Sequence, residues 1–165
     1  MPPEDHPSLS SGAAPSDPGA SQHHRALERL YASAPVNQPY ASRLDIPGEG
    51  QSRLTCEITA DMFHAAGAAH GTIYFKLLDD AAFYAANTLA TDRFLLTTSF
   101  NLHFTKPMRE GAVVAEGRWV SGKRRVFVAE SRLVDADGDE VGRGTGTFMR
   151  SHHALSSLAG YRAPD

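Results

Sequence analysis

Residues 70–90 form the longest helical pattern in the chain, and it is apolar around most of the helix circumference. A helix of this kind is buried, because a helix on the surface has at least one polar face. The remaining chain must therefore surround it. Rows of residues at a spacing of four carry the pattern. One apolar row consists of Ile73, Leu77, Ala81, Ala85 and Leu89.

Alternating apolar and polar residues before and after the helix predict strands. Residues 51–60 place Leu54, Cys56 and Ile58 on one side, so this strand has one buried face, and we expect Cys56 in the core. Four more strands follow the helix, and Asp137-Gly138 predicts a tight turn between the last two. The predicted segments are 94–105, 112–121, 125–135 and 140–150.

Two of these strands have distinctive faces. In the last strand Gly142, Gly144 and Gly146 share one face, which lets another element approach the backbone closely. In the strand 94–105 the alternation predicts an apolar face of Phe94, Leu96, Phe100, Leu102 and Phe104. The opposite, polar face then contains Thr97, Ser99, Asn101, His103 and Thr105.

An antiparallel sheet can bury such a helix only by curling around it. One strand, the long helix and four strands therefore predict an α+β protein with the hotdog fold, an antiparallel sheet wrapped around one central helix. Residues 1–22 hold five of the ten prolines and predict a disordered tail. The predicted domain spans 23–153, with a short helix at 23–33 and an irregular connection at 40–49. Residues 154–165 are predicted to be a C-terminal tail.

Charge and composition exclude several classes of protein. The chain has 16 Lys and Arg against 19 Asp and Glu, a net charge of −3, which is unlike the basic surface that nucleic-acid binding needs. A single cysteine excludes an internal disulfide and a cysteine-based zinc site. No apolar run approaches the length of a membrane span, and Glu4 and Asp5 stand where a secretory signal has basic residues. We therefore expect a cytoplasmic protein with no nucleic-acid or membrane partner.

Asp79 is the first candidate for chemistry, because a carboxylate in the middle of the most apolar helix is costly without a partner. It can also be an ordinary residue that faces solvent or pairs with Lys76. Asp80 points about 100° away around the helix, so the two carboxylates do not form one site. An ion pair between Lys76 and Asp80 would leave Asp79 available for another role.

The start of the long helix is the second candidate. Free N–H groups at a helix N-terminus attract negative charge, and no side chain obstructs the N–H of Gly71. Residues 67–71 can equally form a flexible turn into the helix. His64 and His70 match no zinc spacing, so we predict no metal and no cofactor. His70 is expected to cap the helix or link it to the core.

Gly71 and Asp79 lie eight residues apart, which is about 12 Å along a helix. One carbonyl group cannot contact both, because each contact must be about 3 Å long. The two features act together only if a second copy of the helix runs antiparallel to the first, so that Asp79 of one chain meets Gly71 of the other. This chemistry predicts a homodimer with two shared sites.

Gly67, His70-Gly71 and Asp79 follow one another at a spacing that matches a family signature. Residues 97–111 (TTSFNLHFTKPMREG) and 144–148 (GTGTF) continue the pattern. Together these segments resemble the PaaI-type, or phenylacetate-degradation-like, hotdog acyl-CoA thioesterases. The resemblance extends over about residues 51–150.

The resemblance implies a role for each matching residue. Asp79 would be the catalytic carboxylate, which either attacks the thioester or activates water, and the Gly71 N–H would polarise the thioester carbonyl. Thr97 falls where relatives often have a Ser or Thr that positions water or the carboxylate. His64 replaces an amide side chain that relatives have near the thioester, and Thr72 replaces the second glycine of the usual pair.

The resemblance also implies hydrolysis of acyl- or aroyl-CoA to the free acid and CoA. We expect a homodimer as the minimum unit and a homotetramer, a dimer of dimers, as the assembly, but the choice between dimer and tetramer stays open. The acyl chain, the choice between CoA and a carrier protein, and the choice between nucleophile and general base for Asp79 also stay open. The basic residues between two predicted strands can hold phosphates or be solvated turn charges. The predicted substrate-binding residues are His70, Thr72, Phe75, Phe83, Lys123, Arg124 and Arg125.

Two other functions fit parts of the sequence. A non-catalytic hotdog module that binds an acyl-CoA is compatible with the departures at His64 and Thr72. A hotdog dehydratase or hydratase would need an acidic partner for His70 and a proline-rich motif, and the sequence indicates neither.

Overall fold

The structure is a computed structural model that describes residues 18–162. The helices in this range are α1 (Pro18–Ser33) and α2 (Gly71–Asn87). The strands are β1 (Ser42–Asp45), β2 (Gln51–Ile58), β3 (Arg93–Phe104), β4 (Gly111–Ser121), β5 (Val126–Val134) and β6 (Glu140–Ala154). Short 3-10 helices lie at Pro35–Asn37, Ala60–Met62 and Leu155–Ser157.

The six strands form one antiparallel sheet in the order β1-β2-β4-β5-β6-β3. The sheet curls around α2, which packs against the five strands β2 to β6. Most residues of α2 are buried. The predicted α+β hotdog fold is therefore confirmed.

Close contact between α2 and the sheet depends on small side chains in the facing strands. Ser52 in β2 and Ser131 in β5 donate hydrogen bonds to α2 carbonyl oxygens, at 2.5 Å to Ala81 and 2.7 Å to Leu78. Gly117 in β4 lies between the two serines in register. A Cβ at Gly117 would collide with the Ala81 carbonyl group, so the helix can lie here only against glycine.

Aromatic rings cover the glycine face of β6, as its lack of side chains predicts. The Phe100 ring from β3 lies where a Cβ at Gly144 or Gly146 would be 2.5 or 2.6 Å from ring atoms. A Cβ at Gly142 would be 3.1 Å from the Tyr74 ring of α2. The glycines therefore let both β3 and α2 pack directly on the β6 backbone.

The predicted alternation of β3 is wrong in the first part of the strand. A register shift within residues 97–99 marks a β-bulge, with Thr98 as the extra residue. Before the bulge Leu95 is buried and Leu96 is 49% exposed, the reverse of the predicted faces. Thr97 faces α2 for the same reason, because the bulge changes which side of the strand points inward.

The predicted irregular connection at 40–49 contains a strand. Residues Ser42–Asp45 form β1, which pairs with β2 at one edge of the sheet. Four residues are too few to give a visible alternation in the sequence. Helix α1 begins at Pro18, earlier than the predicted residue 23. Residues 1–17 of the predicted disordered tail lie outside the described residues.

Both ends of the described chain fold back onto the C-terminal end of α2. His23 in α1 is buried, with the Tyr161 hydroxyl 2.7 Å from its Nδ1 and the Asn87 carbonyl oxygen 2.9 Å from its Nε2. Tyr161 falls in the segment predicted as a C-terminal tail, as does the fully buried Leu155. The packed part of the chain therefore extends past residue 153.

Two local predictions are confirmed. Cys56 is buried, and the turn at Asp137-Gly138 has Gly138 at φ +87°. No helix among residues 18–162 has both the length and the apolar character that crossing a membrane requires.

Candidate active site

Asp79 projects from the middle of α2 toward β3, where one hydroxyl group holds its carboxylate. Thr97 Oγ1 donates a hydrogen bond that lies 3.0 Å from Oδ1 and 3.3 Å from Oδ2 of Asp79. The bulge at Thr98 allows this contact, because it turns Thr97 toward the helix. The structure thus brings together two of the four predicted catalytic residues.

Burial raises the pKa of Asp79 from its ordinary value of 3.8 to about 6. The Thr97 hydrogen bond and the Lys76 charge lower this pKa, and the Asp80 charge raises it, but burial has the largest effect. A carboxyl group with a pKa near 6 is mostly ionised at neutral pH and is more basic than an ordinary aspartate. It is therefore suited to accept a proton or to attack a carbonyl carbon.

Lys76, which was considered as an ion-pair partner of Asp79, pairs with Asp80 instead. Lys76 Nζ lies 2.6 Å from Asp80 Oδ2, which confirms the predicted ion pair at a spacing of four residues. Lys76 Nζ also donates a hydrogen bond to Asn37 Oδ1. Asp79 therefore points toward β3, whereas Asp80 points toward the N-terminal part of the chain.

A pocket of about 450 Å³ opens at the N-terminal end of α2. Gly71 is the first residue of this helix, and its N–H has no hydrogen-bond partner among residues 18–162. The helix dipole adds partial positive charge at the same place, so the pocket can stabilise a developing oxyanion. Its lining consists of His64, Ala68, Ala69, Gly71, Tyr74, Phe104, Thr105, Lys106 and Pro107.

His70 caps α2, which is one of the two roles expected for it. Its Nδ1 accepts a hydrogen bond from the Thr72 N–H at 3.2 Å and lies 2.9 Å from the Thr72 hydroxyl. The cap therefore uses the N–H of Thr72, and Gly71 provides the first free donor of the helix. Thr72 stands where the family that the sequence resembles has a glycine. Its hydroxyl group contacts the His70 ring and supports the cap.

His64 lies in the exposed loop before α2 and borders the pocket. Its Nδ1 accepts a hydrogen bond from the Ala66 N–H at 3.1 Å, and its backbone N–H donates to the Ala68 carbonyl at 2.9 Å. In a neutral ring with Nδ1 as acceptor, the proton is on Nε2. His64 can therefore donate a hydrogen bond to a ligand in the pocket.

Two aromatic residues absent from the predicted site form one wall of the pocket. The Tyr74 hydroxyl donates to the Lys106 carbonyl at 2.8 Å and accepts from the Met108 N–H at 2.5 Å, which fixes the ring. Phe104 meets this ring edge to face, with centroids 5.1 Å apart, and is 59% exposed. The available signal was the position of Tyr74 three residues after Gly71, on the same side of the helix.

The two phenylalanines predicted to bind substrate have different surroundings. Phe75 is 42% exposed and contacts Phe100 edge to face, with centroids 5.6 Å apart. Phe83 is buried against Phe94 and Phe148. Phe75 is therefore open to a ligand, whereas Phe83 is part of the core.

The predicted cations Lys123, Arg124 and Arg125 lie at the tip of the β4–β5 hairpin and are exposed. No carboxylate within residues 18–162 pairs with any of the three. Arg150 braces the tip by donating hydrogen bonds to the carbonyl groups of Lys123 and Arg124. The tip therefore presents three positive charges on a supported backbone, and the Lys123 ammonium lies 5.0 Å over the Trp119 ring.

Comparison of the sequence with known families gives one clear match. Residues 66–142, which contain α2 and strands β3 to β5, match the family model described as the Thioesterase superfamily. A presumed esterase of Saccharolobus solfataricus is 29% identical over 101 residues, which cover 61% of this chain and 67% of that protein.

Solved structures share the fold. The PaaI protein from the phenylacetic acid degradation operon of E. coli superposes with a TM-score of 0.73 at 20% identity, over 82% of this chain and 96% of that chain. A Streptococcus mutans UA159 protein bound to acetyl-CoA superposes with a TM-score of 0.60 at 21% identity, over 66% of this chain and 86% of that chain. The chain therefore has the hotdog fold, and its residues 66–142 are similar to the thioesterase superfamily.

Proposed function

We propose that the protein hydrolyses acyl-CoA or aroyl-CoA thioesters to the free acid and CoA. The observation that carries this proposal is the Asp79 carboxylate, held by Thr97 at 3.0 Å, on a helix whose first N–H at Gly71 is free. Asp79 supplies a base or nucleophile and Gly71 stabilises an oxyanion, which are the two requirements of thioester hydrolysis. The acetyl-CoA in the Streptococcus mutans structure supports CoA thioesters as the substrate class.

The reaction has two routes that this arrangement supports. In one route Asp79 removes a proton from water as the water attacks the carbonyl carbon. In the other Asp79 attacks that carbon itself, and water then cleaves the mixed anhydride. In both routes the Gly71 N–H donates to the carbonyl oxygen while it carries negative charge. The C–S bond breaks, CoA leaves as the thiolate and takes up a proton, and the carboxylic acid is released.

The two parts of the site belong to different subunits in this proposal. Gly71 and Asp79 are about 12 Å apart along α2, too far to contact one carbonyl group. Strand β3 is a 12-residue edge strand whose free backbone groups can pair with a second copy, and Leu96 and Phe104, on its two faces, are 49% and 59% exposed. Antiparallel pairing of two β3 strands about a two-fold axis would set two α2 helices side by side and complete two sites.

The hairpin cations are assigned to the phosphates of CoA. Thr97, Phe148 and Phe127 lie in one cross-strand row, and Arg125 is two residues before Phe127, directly ahead of β5. Strand spacing and rise place the Arg125 backbone about 12 Å from Thr97. The roughly 13 bonds from the CoA sulfur to the first phosphorus span about 15 Å at the rise of an extended chain. A thioester at Asp79 can therefore bring its phosphates to the hairpin tip.

Other predicted site residues fit around these groups. His64, His70 and Thr72 border the carbonyl end, and Phe75, one turn before Asp79, contacts the acyl part. Phe83 supports the site from the core.

The dimer of dimers and the cytoplasmic location stay predictions. The mass of the purified protein, measured by light scattering, tests the dimer of dimers.

A subunit-mixing experiment tests the shared site. Asp79→Asn removes the carboxylate, and Gly71→Pro removes the N–H at the first helical position, which tolerates proline. Each variant alone is expected to lose nearly all turnover of an acyl-CoA panel. After joint denaturation and refolding, half of the dimers are mixed and have one intact site of two, so about a quarter of wild-type activity should return.

Wild-type protein refolded in the same way is the control for recovery. A mixture that stays inactive although both variants refold as dimers would contradict a shared site. Undiminished turnover by folded Asp79→Asn alone would contradict the role of Asp79 and with it the proposed reaction.

A further inference from the structure

Asp79 and Asp80 are two partly buried carboxylates on consecutive residues of the most buried helix. Burial raises the pKa of both groups. Two such carboxylates cannot both stay ionised at low cost unless a cation compensates one of them. The charge of Lys76, which lies one turn before Asp80 on the same helix, is therefore central to the charge state of Asp79.

Lys76 is held far more firmly than a surface lysine. Its Nζ lies 2.6 Å from Asp80 Oδ2 and 2.5 Å from Asn37 Oδ1, and its side chain is only 13% exposed. The rings of Tyr31 and Tyr40 lie 5.7 and 5.2 Å away, at cation–π distance. Asn37 is itself buried and fixed by donating a hydrogen bond to the Tyr31 carbonyl at 2.7 Å.

These partners come from one stretch of chain, which we name the N-terminal segment (residues 18–45). Tyr31 lies in α1, Asn37 in the first 3-10 helix and Tyr40 in the turn before β1. The segment packs on the side of α2 that carries Lys76 and Asp80, while β3 contacts Asp79 on another side. Its contacts fix the position of the Lys76 charge.

We propose that Lys76, held by the N-terminal segment, is a positioning residue that neutralises Asp80, so that the single net negative charge in the middle of α2 is carried by Asp79. This inference rests on the proposed function of Asp79. Lys76 and Asp80 carry opposite charges next to Asp79, and their removal should therefore have opposite effects on it.

The other groups that face this cluster do not supply charge. Thr97 reaches Asp79 from β3 and is uncharged. Burial raises the pKa of the Cys56 thiol in β2 and the pKa values of the Tyr31 and Tyr84 hydroxyl groups, so all three stay neutral at the pH of the reaction. Among the described residues Lys76 and Asp80 are the two charged groups that act on the pKa of Asp79.

Profiles of kcat/KM against pH for single variants test the proposal. Lys76→Met leaves Asp80 without a compensating charge, so the acid limb, which is the fall of kcat/KM at low pH, should move upward from near pH 6 to about pH 7. The relative activity at pH 6 should then fall roughly fivefold. Asp80→Asn leaves Lys76 uncompensated, so the acid limb should move downward. The double variant Lys76→Met/Asp80→Asn should return close to the wild-type limb.

Arg118→Met is the matched control, because it removes one positive charge from an exposed ion pair with Glu130 on the outer face of the sheet. Its acid limb should equal that of the wild type. Acid limbs of Lys76→Met and Asp80→Asn that coincide with this control, or that move in the same direction, would overturn the proposal. If Lys76→Met does not fold, the direction of the Asp80→Asn shift decides.

The two proposals fail in different ways. Turnover that survives Asp79→Asn refutes the catalytic role of Asp79. Loss of turnover in Asp79→Asn, together with unmoved acid limbs in both Lys76→Met and Asp80→Asn, leaves that role intact and refutes the positioning role of Lys76.

Discussion

Thr97 Oγ1 and the Asp79 carboxylate meet across the contact between β3 and α2, at 3.0 and 3.3 Å to the two carboxylate oxygens. One hydroxyl hydrogen is thus shared between both oxygens. This bond favours the ionised form of Asp79 and opposes the effect of burial on its pKa. It also fixes which way the carboxylate faces, so Thr97 controls both the charge and the direction of the reacting group.

Replacement of Thr97 by valine should therefore affect rate and pH dependence together. A hydrogen bond to a charged group is worth about 1.5–3 kcal/mol, so kcat/KM at pH 8 should fall by roughly 10-fold to 100-fold in Thr97→Val. The acid limb should move upward, because the bond that lowers the Asp79 pKa is lost. Thr97→Ser keeps the hydroxyl and should stay near wild type. An acid limb of Thr97→Val at the wild-type position would contradict this role.

Two substitutions at Gly71 separate the loss of its N–H from the steric effect of an added side chain. A Cβ at Gly71 would lie 3.2 Å from Phe104 Cζ in both Gly71→Ala and Gly71→Pro, but only proline lacks the N–H. His70 has φ −65° and ψ 147°, a conformation that proline accepts in the preceding residue. Gly71→Pro should lose about 100-fold to 1,000-fold in kcat, and Gly71→Ala far less. Equal losses would show that the N–H is not the active element.

The free energy of unfolding should depend on pH because the pKa of Asp79 is raised in the folded state. The folded chain holds this proton up to about pH 6 and the unfolded chain only to about 3.8, so protonation favours folding, and this stabilisation is lost as pH rises through 6. Asp79→Asn removes that loss. Its free energy of unfolding relative to wild type should rise by about 1.4 kcal/mol between pH 5 and pH 8 in urea titrations. The same difference at both pH values would contradict the raised pKa.

The sequence predicted the fold more fully than the details of the site. The period of α2 and the alternation of the later strands were enough for the hotdog fold, because few arrangements bury a helix that is apolar on most sides. The Lys76–Asp80 pair followed from spacing alone, and capping of α2 was one of the two roles expected for His70. These features depend on contacts between residues close in sequence.

Features that depend on a change of backbone register were not predictable in this way. The bulge at Thr98 inverts the faces of β3, and alternation alone assigns Leu96 inward and Thr97 outward. Resemblance to a family, rather than periodicity, singled out Thr97. The pocket wall of Tyr74 and Phe104 was missed because its two members are 30 residues apart and meet only after the sheet has curled.

Lys123, Arg124 and Arg125 at the hairpin tip should bind the phosphates at the nucleotide end of the substrate and should not contact its acyl or pantetheine parts. Lys123→Ala/Arg124→Ala/Arg125→Ala should raise KM for acyl-CoA and weaken its dependence on salt, because phosphate contacts are screened. KM for the same acyl group on pantetheine, which lacks the phosphates, should be unchanged, as should kcat for both substrates. An equal rise in KM for both thioesters would indicate a role outside phosphate binding.

Dimer formation through the exposed edge strand β3 should be required for activity. Leu96 is 49% exposed on this edge strand, and a glutamate there would bring a charge without a partner into the proposed contact between two β3 strands. Leu96→Glu should sediment as a monomer at concentrations where the wild type is a dimer, with its secondary structure retained. Because each site needs two chains, its activity should be lost with the dimer and should return as protein concentration rises. Val36→Glu changes an exposed valine outside the sheet and should leave both properties unchanged. A Leu96→Glu monomer that hydrolyses thioesters at the wild-type rate would refute the shared site.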